Sequence, residues 1–270
     1  MRRLISAVPE AFVRFGRDGC AFLAQSVAFS SLFAFFPLMF LALAAATLIF
    51  PDPERRLLQA VDQVAPTLHD YVAENLHAYI SGRGVSSVIA FVTLIWSGKN
   101  LFTGLAYALD RALNVPKRRP IVNSVLMGLV MLPITGLLLI IAIALPIVLA
   151  VTFQIAGIHD SQRVTQILGY VISIVLIYVV ALLLYRLLPN RPVSWAFAAR
   201  GAAIVAIPWP AVQYGFAVYA THVDFTHIYG ALSAPIVLLL WFYFIGSIFL
   251  FGAEYSVALS TGYRSVRLED

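Results

Sequence analysis

Long apolar stretches separated by short polar segments dominate this sequence. Of its 270 residues, 61% are hydrophobic and 11% are charged, whereas soluble proteins average about 45–50% and about 25%. A transmembrane helix needs roughly 20 consecutive apolar residues. The sequence therefore predicts an all-α, polytopic integral membrane protein, a single transmembrane domain over 1–270. Its six transmembrane helices are expected at about 23–50, 85–109, 122–152, 164–188, 201–220 and 231–259.

Two further features concern individual spans. The first span follows arginine residues but is far longer than the 7–15-residue apolar part of a signal peptide, so we expect it to remain as an anchor. The third contains Pro133 and Pro146. Because proline removes a backbone hydrogen bond and clashes with the preceding turn, we expect this helix to be kinked or tilted.

Amphipathic segments flank the spans on both sides. Apolar residues near the N-terminus recur at helical spacing, with charged residues on another face: Leu4, Ile5, Val8, Ala11, Phe12 and Phe15 against Arg3, Glu10, Arg14 and Arg17. This pattern predicts an interfacial amphipathic helix; a disordered polar leader is the alternative. The pattern of residues 51–84 predicts an amphipathic helical hairpin on the outer side. Its second helix begins with a capping box of Thr67 and Asp70.

The distribution of basic residues predicts the topology. Thirteen arginines and lysines lie in the N-terminal segment, the loops after spans two and four, and the tail, whereas only Arg55, Arg56, Arg83 and Arg163 lie in the other loops. Cytoplasmic loops carry the excess of positive charge. We therefore expect a multi-pass protein with both termini in the cytoplasm.

Two ionisable residues fall inside predicted spans. Lys99 lies near the middle of the second span and Glu254 in the inner part of the sixth. A charge at the bilayer centre costs about 2.5–3.5 kcal/mol, so such residues usually face a cavity or a partner. We expect a polar site, for substrate or structure, built from Lys99, Glu254, Asn100 and Ser97, with Lys99 and Glu254 interacting directly or through water. The alternative is that Lys99 snorkels to the interface and Glu254 serves only folding.

The remaining polar residues do not predict a metal site or catalysis. All five histidines fall in outer loops; the sets His222, Asp224, His227 and Asp70, Glu74, His77 match no known ligand signature. We expect no metal and no cofactor. The predicted cytoplasmic face has scattered acids and no histidine, although hydrolysis of RNA needs paired metals on clustered carboxylates or a general acid and base. The chain is therefore not expected to be an enzyme.

Several short motifs, in their order and spacing, resemble a known family. They are AFSSLFAFFPL at 28–38, WS at 96–97, ALDRALN at 108–114, YRLLPN at 185–190, YGAL at 229–232 and GAE at 252–254. Together they resemble the YihY/virulence factor BrkB family, formerly called the ribonuclease BN family. The resemblance implies six helices and an inner-membrane location. Ser256 departs from an Asn that members often carry, and Lys99 stands where a small residue is expected, so the resemblance supports Glu254 more than Lys99.

Two classes of function remain open from sequence. Polar groups inside a bundle, proline-interrupted helices and surface amphipathic helices favour a transporter or a protein that handles lipids or other amphiphiles. A structural or scaffold membrane protein without a substrate is the alternative. Membrane lipids are the expected partners, with a second copy of the chain and a periplasmic protein contacting 51–84 as further candidates. No nucleic acid is expected.

Overall fold

A computed structural model describes residues 2–49, 83–115, 123–138, 161–191, 193–223 and 225–266. Within these ranges the chain consists of helices and turns, which confirms an all-helical fold there. In chain order the helices are α1 (Arg2–Arg17), α2 (Cys20–Ile49), α3 (Arg83–Ala112), α4 (Asn123–Leu138), α5 (Ser161–Leu187), α6 (Trp195–Ala206), α7 (Trp209–His222), α8 (Phe225–Tyr229) and α9 (Ser233–Val266). A 3-10 turn at Gly230–Leu232 precedes α9.

Three stretches in the described part are long and apolar enough to cross a membrane. They are Cys20–Leu38, Trp195–His222 and Ser233–Ser260; Asn123–Leu138 and Val171–Leu187 are shorter apolar helices. This finding agrees with a helical membrane protein, while the number of six spans remains a prediction. The predicted outer hairpin up to residue 82, and the part of the third span with Pro146, lie outside the described residues.

The largest buried core lies at the end of the bundle that the sequence assigns to the cytoplasm. α2 packs between α3 and α9. α9 also packs against α1 and α6, and α6 contacts α5. Many core residues are small, so the helices approach closely. The core combines the start of α2 and α6 with the ends of α3, α5 and the inner part of α9, for example Ala24, Leu109, Leu188, Ala202 and Leu250.

The fifth predicted span, 201–220, is not one continuous helix. α6 ends at Ala206 and α7 begins at Trp209. Pro208 and Pro210 have no N–H, so the carbonyls of Ile204 and Ala206 lose their helical donors. Five residues of α6 are buried, whereas no residue of α7 is. The stretch Trp195–His222 as a whole is still long and apolar enough to cross a membrane, and the two prolines divide it into two helices.

The N-terminal helix is part of the packed bundle. Ala7 and Ala11 of α1 are buried together with Tyr255 and Ala258 of α9. Gly19, with φ of +70°, makes the turn from α1 into α2, and this left-handed conformation favours glycine. The prediction of a helix is confirmed. Its small-residue stripe packs on α9, and Phe12, although 65% exposed, also contacts α9, with its ring centre 4.8 Å from that of Phe251.

Candidate intramembrane polar site

Glu254 is the most deeply buried charged side chain among the described residues. It lies on α9 at 0% exposure. Its Oε2 accepts a hydrogen bond from Nε of Arg14 at 3.0 Å, and its Oε1 accepts from the Cys20 thiol, with an Sγ–Oε1 distance of 3.5 Å. The Arg14 side chain is 12% exposed. The ion pair therefore joins α1 to the inner part of the last span.

The expected direct pairing of Lys99 with Glu254 is wrong, because Arg14 is the ion partner of Glu254. The turn at Gly19 lets α1 pack along α9, and this places Arg14 beside the carboxylate. The sequence pattern places Arg14 on the charged face of a predicted interfacial helix. The sequence did hold a signal for this contact. Arg14 follows Ala11 by three residues and Ala7 by seven, so the three residues lie on one face of the helix.

The other three predicted site residues lie on α3. Lys99 and Asn100 are half-buried, and Ser97 is buried. The Ser97 hydroxyl donates to the carbonyl of Thr93 at 2.8 Å, within its own helix. Lys99 adjoins α4, where a Cβ added at Gly128 would lie 3.0 Å from the Lys99 carbonyl oxygen. Ser97, Lys99 and Asn100 thus lie on α3, whereas Glu254 lies on α9, where it contacts Arg14 and Cys20.

A buried tyrosine that no sequence pattern indicated as a site residue holds α5 against α6 and α9. The Tyr185 hydroxyl donates to the carbonyl of Phe249, and the two rings stack at 4.4 Å. A Cβ at Gly201 would lie 2.8 Å from Cε2 of Tyr185, and a Cβ at Gly252 would lie 2.5 Å from its hydroxyl oxygen. The two glycines therefore form the slot that the ring occupies.

A second contact joins two of the motifs noted in the sequence. Oδ1 of Asp110, at the end of α3, accepts a hydrogen bond from the backbone N–H of Asn190 at 2.7 Å. In the same turn, Arg186 donates to the carbonyl of Val193, and its guanidinium lies 5.2 Å from the centre of the Trp195 ring. The 108–114 and 185–190 motifs thus meet at the inner end of the bundle.

An ion pair with an exposed arginine marks the junction of α1 and α2: the Arg17 side chain is 58% exposed and that of Asp18 is 9% exposed. Nε of Arg17 donates to Oδ1 of Asp18 at 3.2 Å. This hydrogen bond, together with the negative charge of Asp18, raises the pKa of Arg17. Because exposed ion pairs contribute little to stability, this pair differs in kind from the buried pair of Arg14 and Glu254.

Comparison with known proteins agrees with the motifs. The virulence factor BrkB family matches residues 11–269. The chain belongs to the BrkB family. This confirms the resemblance inferred from the short motifs.

BrkB relatives include proteins named only as membrane proteins. A UPF0761 membrane protein of Rhodospirillum centenum is 27% identical over 94% of this chain and 57% of its own length. A UPF0761 membrane protein of Legionella pneumophila is 26% identical over 94% of this chain and 63% of its own length. This chain therefore spans about three fifths of these relatives.

Another BrkB relative has a different name. A Bacillus subtilis protein, YfkH, is named ribonuclease-like and is 23% identical over 94% of this chain and 95% of its own length. No solved structure matches the chain. Membership of the family therefore establishes a bacterial membrane protein without assigning its chemistry.

No metal centre is assembled within the described part of this BrkB protein. There, no three His, Cys, Asp or Glu side chains lie close enough to hold an ion. His222 and His227 are exposed, and Asp224 lies outside the described residues, as do Asp70, Glu74 and His77.

Proposed function

We propose that this BrkB-family protein is an inner-membrane transporter that handles a lipid or another amphiphile. The observation that carries the proposal is the broken fifth span. Ile207 and Pro208 keep right-handed helical backbone angles, so the break is a proline interruption of the helix. Proline removes helical hydrogen bonds, and discontinuous helices are typical of transporter binding regions. The break at Ile207 and Pro208 therefore favours a moving or substrate-binding segment over a simple anchor.

The packing on the two sides of the break supports the same function. α6 contributes five buried residues to the core, whereas no residue of α7 is buried. The contacts of α7 include aromatic rings, such as Phe216 with Trp241 at 4.6 Å. Elements that move are drawn from regions with few buried contacts. We propose that α7 moves relative to α6 about Ile207 and Pro208 when an amphiphile passes.

The test is lipid translocation in reconstituted vesicles. Purified protein is incorporated into vesicles with a trace of a fluorescently labelled phospholipid, and membrane-impermeant dithionite quenches the outer leaflet. We expect dithionite to quench more than the half of the label that starts in the outer leaflet, because transported lipid reaches it from the inner leaflet. This second phase of quenching should be slower in the variant Pro208→Ala/Pro210→Ala, because a continuous helix would restrict α7.

The matched control is Pro9→Ala, which removes a proline from α1, at an exposed position away from the break. It should leave translocation unchanged. Quenching that equals the protein-free level, in a protein of normal thermal stability, would contradict the proposal.

A scaffold function without a substrate is the second candidate. The compact inner end favours it: Leu109, Leu188 and Leu250 are fully buried, and Glu254 is neutralised by Arg14. A scaffold should be inactive toward both phospholipid and entrapped dyes. We also propose a second copy of the chain, and a periplasmic protein contacting 51–84, as partners, to be tested by mass in detergent and by cross-linking from that segment.

We further propose that the protein is not a nuclease and binds no nucleic acid. Of the acids expected at the cytoplasmic face, Glu254 is paired with Arg14, Asp18 with Arg17, and Asp110 with the N–H of Asn190. These engaged carboxylates support the proposal. Purified protein incubated with RNA and divalent cations should degrade it no faster than a mock preparation; cleavage that disappears in Asp110→Asn would overturn this.

A further inference from the structure

Lys99 occupies an unusual environment for a cation. It lies 11 residues before Asp110 in α3, about 16 Å along the helix, inside the predicted second span. Among the described residues, neither of the ion pairs involves it. A charge at this depth requires a partner or a path to water, and its half-buried side chain remains accessible.

A second polar group lies one turn away on the same face. Thr103 follows Lys99 by four residues, which places the two side chains next to each other on the helix. Within the described part of the chain, the buried Oγ1 of Thr103 has no hydrogen-bond partner. By contrast, the hydroxyls of Thr93 and Ser97 each donate to a carbonyl of their own helix at 2.8 Å.

A buried hydroxyl without a partner is costly, by about 1–3 kcal/mol. The hydroxyls of Thr93 and Ser97 show that back-bonding to the helix is available in α3. Unlike those two hydroxyls, the Thr103 hydroxyl does not donate to a carbonyl of its own helix, and an acceptor brought by a ligand would satisfy it.

The surroundings indicate how a ligand would enter. Gly128 of α4 lies against the backbone and stem of Lys99, since an added Cβ would be 3.4 Å from its Cγ. On the same helix, Val92 and Trp96 are 61% and 58% exposed, respectively. Lys99 thus lies between a close helix contact and a surface that faces lipid, so the ligand's accessible source is the membrane.

We propose that Lys99 and Thr103 bind the phosphate of an anionic phospholipid that enters from the membrane beside α4. An ammonium group and a hydroxyl donor together suit a phosphate oxygen, for which lysine is a common point-charge ligand. The proposal rests on the proposed handling of lipids and names the chemical group that is recognised.

The test measures retained lipid by native mass spectrometry of the full chain. Protein is supplied with equal amounts of phosphatidylglycerol and phosphatidylcholine. We expect preferential retention of phosphatidylglycerol, about tenfold weaker in Lys99→Met and about threefold weaker in Thr103→Val, and largely kept in Lys99→Arg. Thr93→Val and Arg191→Met, which remove a satisfied hydroxyl and an exposed surface charge, should match the wild type.

Competition with inorganic phosphate distinguishes the source of the anion. If inorganic phosphate does not displace phosphatidylglycerol, the site binds a lipid headgroup. If phosphate displaces it, and Lys99→Met loses phosphate binding, the site binds free phosphate and the lipid is rejected as its ligand. Wild-type retention by a folded Lys99→Met variant overturns the site. Translocation of labelled phosphatidylcholine is measured in parallel and separates the proposed transport from the proposed phosphate site. Translocation without phosphatidylglycerol retention overturns the site alone. Retention without translocation overturns transport alone.

Discussion

Oδ1 of Asp110 accepts the backbone N–H of Asn190 at 2.7 Å, across a separation of 80 residues. The carboxylate lies in the last turn of α3 and binds the turn between α5 and α6, so that two distant parts of the chain are joined by this hydrogen bond. Such a bond to a charged acceptor is stronger than a neutral one. It makes the inner end of the bundle a connected structure rather than a set of separate helix ends.

Replacement of Asp110 tests this connection. Asp110→Ala removes the acceptor and leaves the Asn190 N–H without its partner, which should cost about 1–3 kcal/mol and lower the melting temperature in detergent. Asp110→Asn keeps an acceptor oxygen and should lose less. Equal melting temperatures for the alanine and asparagine variants would show that the hydrogen bond does not matter.

The buried pair of Arg14 and Glu254 should show coupling in a double-mutant cycle. Removing one partner leaves a charge without compensation, at a cost of about 3–5 kcal/mol for a fully buried pair. We expect Arg14→Met and Glu254→Gln each to lower the melting temperature, and the double variant to recover part of the loss. Arg17→Met, which removes a side chain that is 58% exposed, is the control and should change the melting temperature little; additive losses in the buried pair would contradict the coupling.

The glycine slot around Tyr185 predicts that Gly252→Ala is destabilising. Its Cβ would lie 2.9 Å from the Gly201 carbonyl oxygen and 2.5 Å from the tyrosine hydroxyl. Overpacking of this kind costs about 1–3 kcal/mol. Gly104→Ala is the matched control, since nothing lies within 4 Å of its added Cβ. A thermal melt in which both variants behave alike would refute the slot.

The predicted topology can be tested by labelling with a membrane-impermeant thiol reagent. In a background in which Cys20 is replaced by alanine, Gln63→Cys should be labelled in intact spheroplasts, because 51–84 is expected outside. Arg118→Cys should be labelled only after lysis. The reverse result would invert the assignment of both termini to the cytoplasm.

The sequence predicted the helices better than their contacts. Apolar length and helical spacing located the bounds of α2, α3 and α5 within three residues, because burial in lipid or protein leaves a clear pattern. The start of α9 was predicted equally well, but the helix runs seven residues beyond the predicted end at 259. The same pattern cannot show which helices meet. It therefore predicted Lys99 as the partner of Glu254, and the partner is Arg14.

Small residues carried information that periodicity of large residues did not. Ala7 and Ala11 define the face of α1 that packs on α9, and Gly201 and Gly252 define the space for Tyr185. Close approach depends on the absence of side-chain volume, which a search for apolar or charged residues overlooks. The break at Pro208 was visible in the sequence, since proline cannot donate the hydrogen bond that a continuous helix needs.

The Arg14–Glu254 contact joins residues 240 positions apart in the chain. A ribosome that adds about 5–20 residues per second makes Arg14 roughly 10–50 s before Glu254. During that interval Arg14 lacks the Glu254 carboxylate, and α1 has no α9 on which to pack. Its docking therefore coincides with completion of the last span, and a prematurely terminated chain would leave α1 undocked, a difference that proteases of the cell could detect.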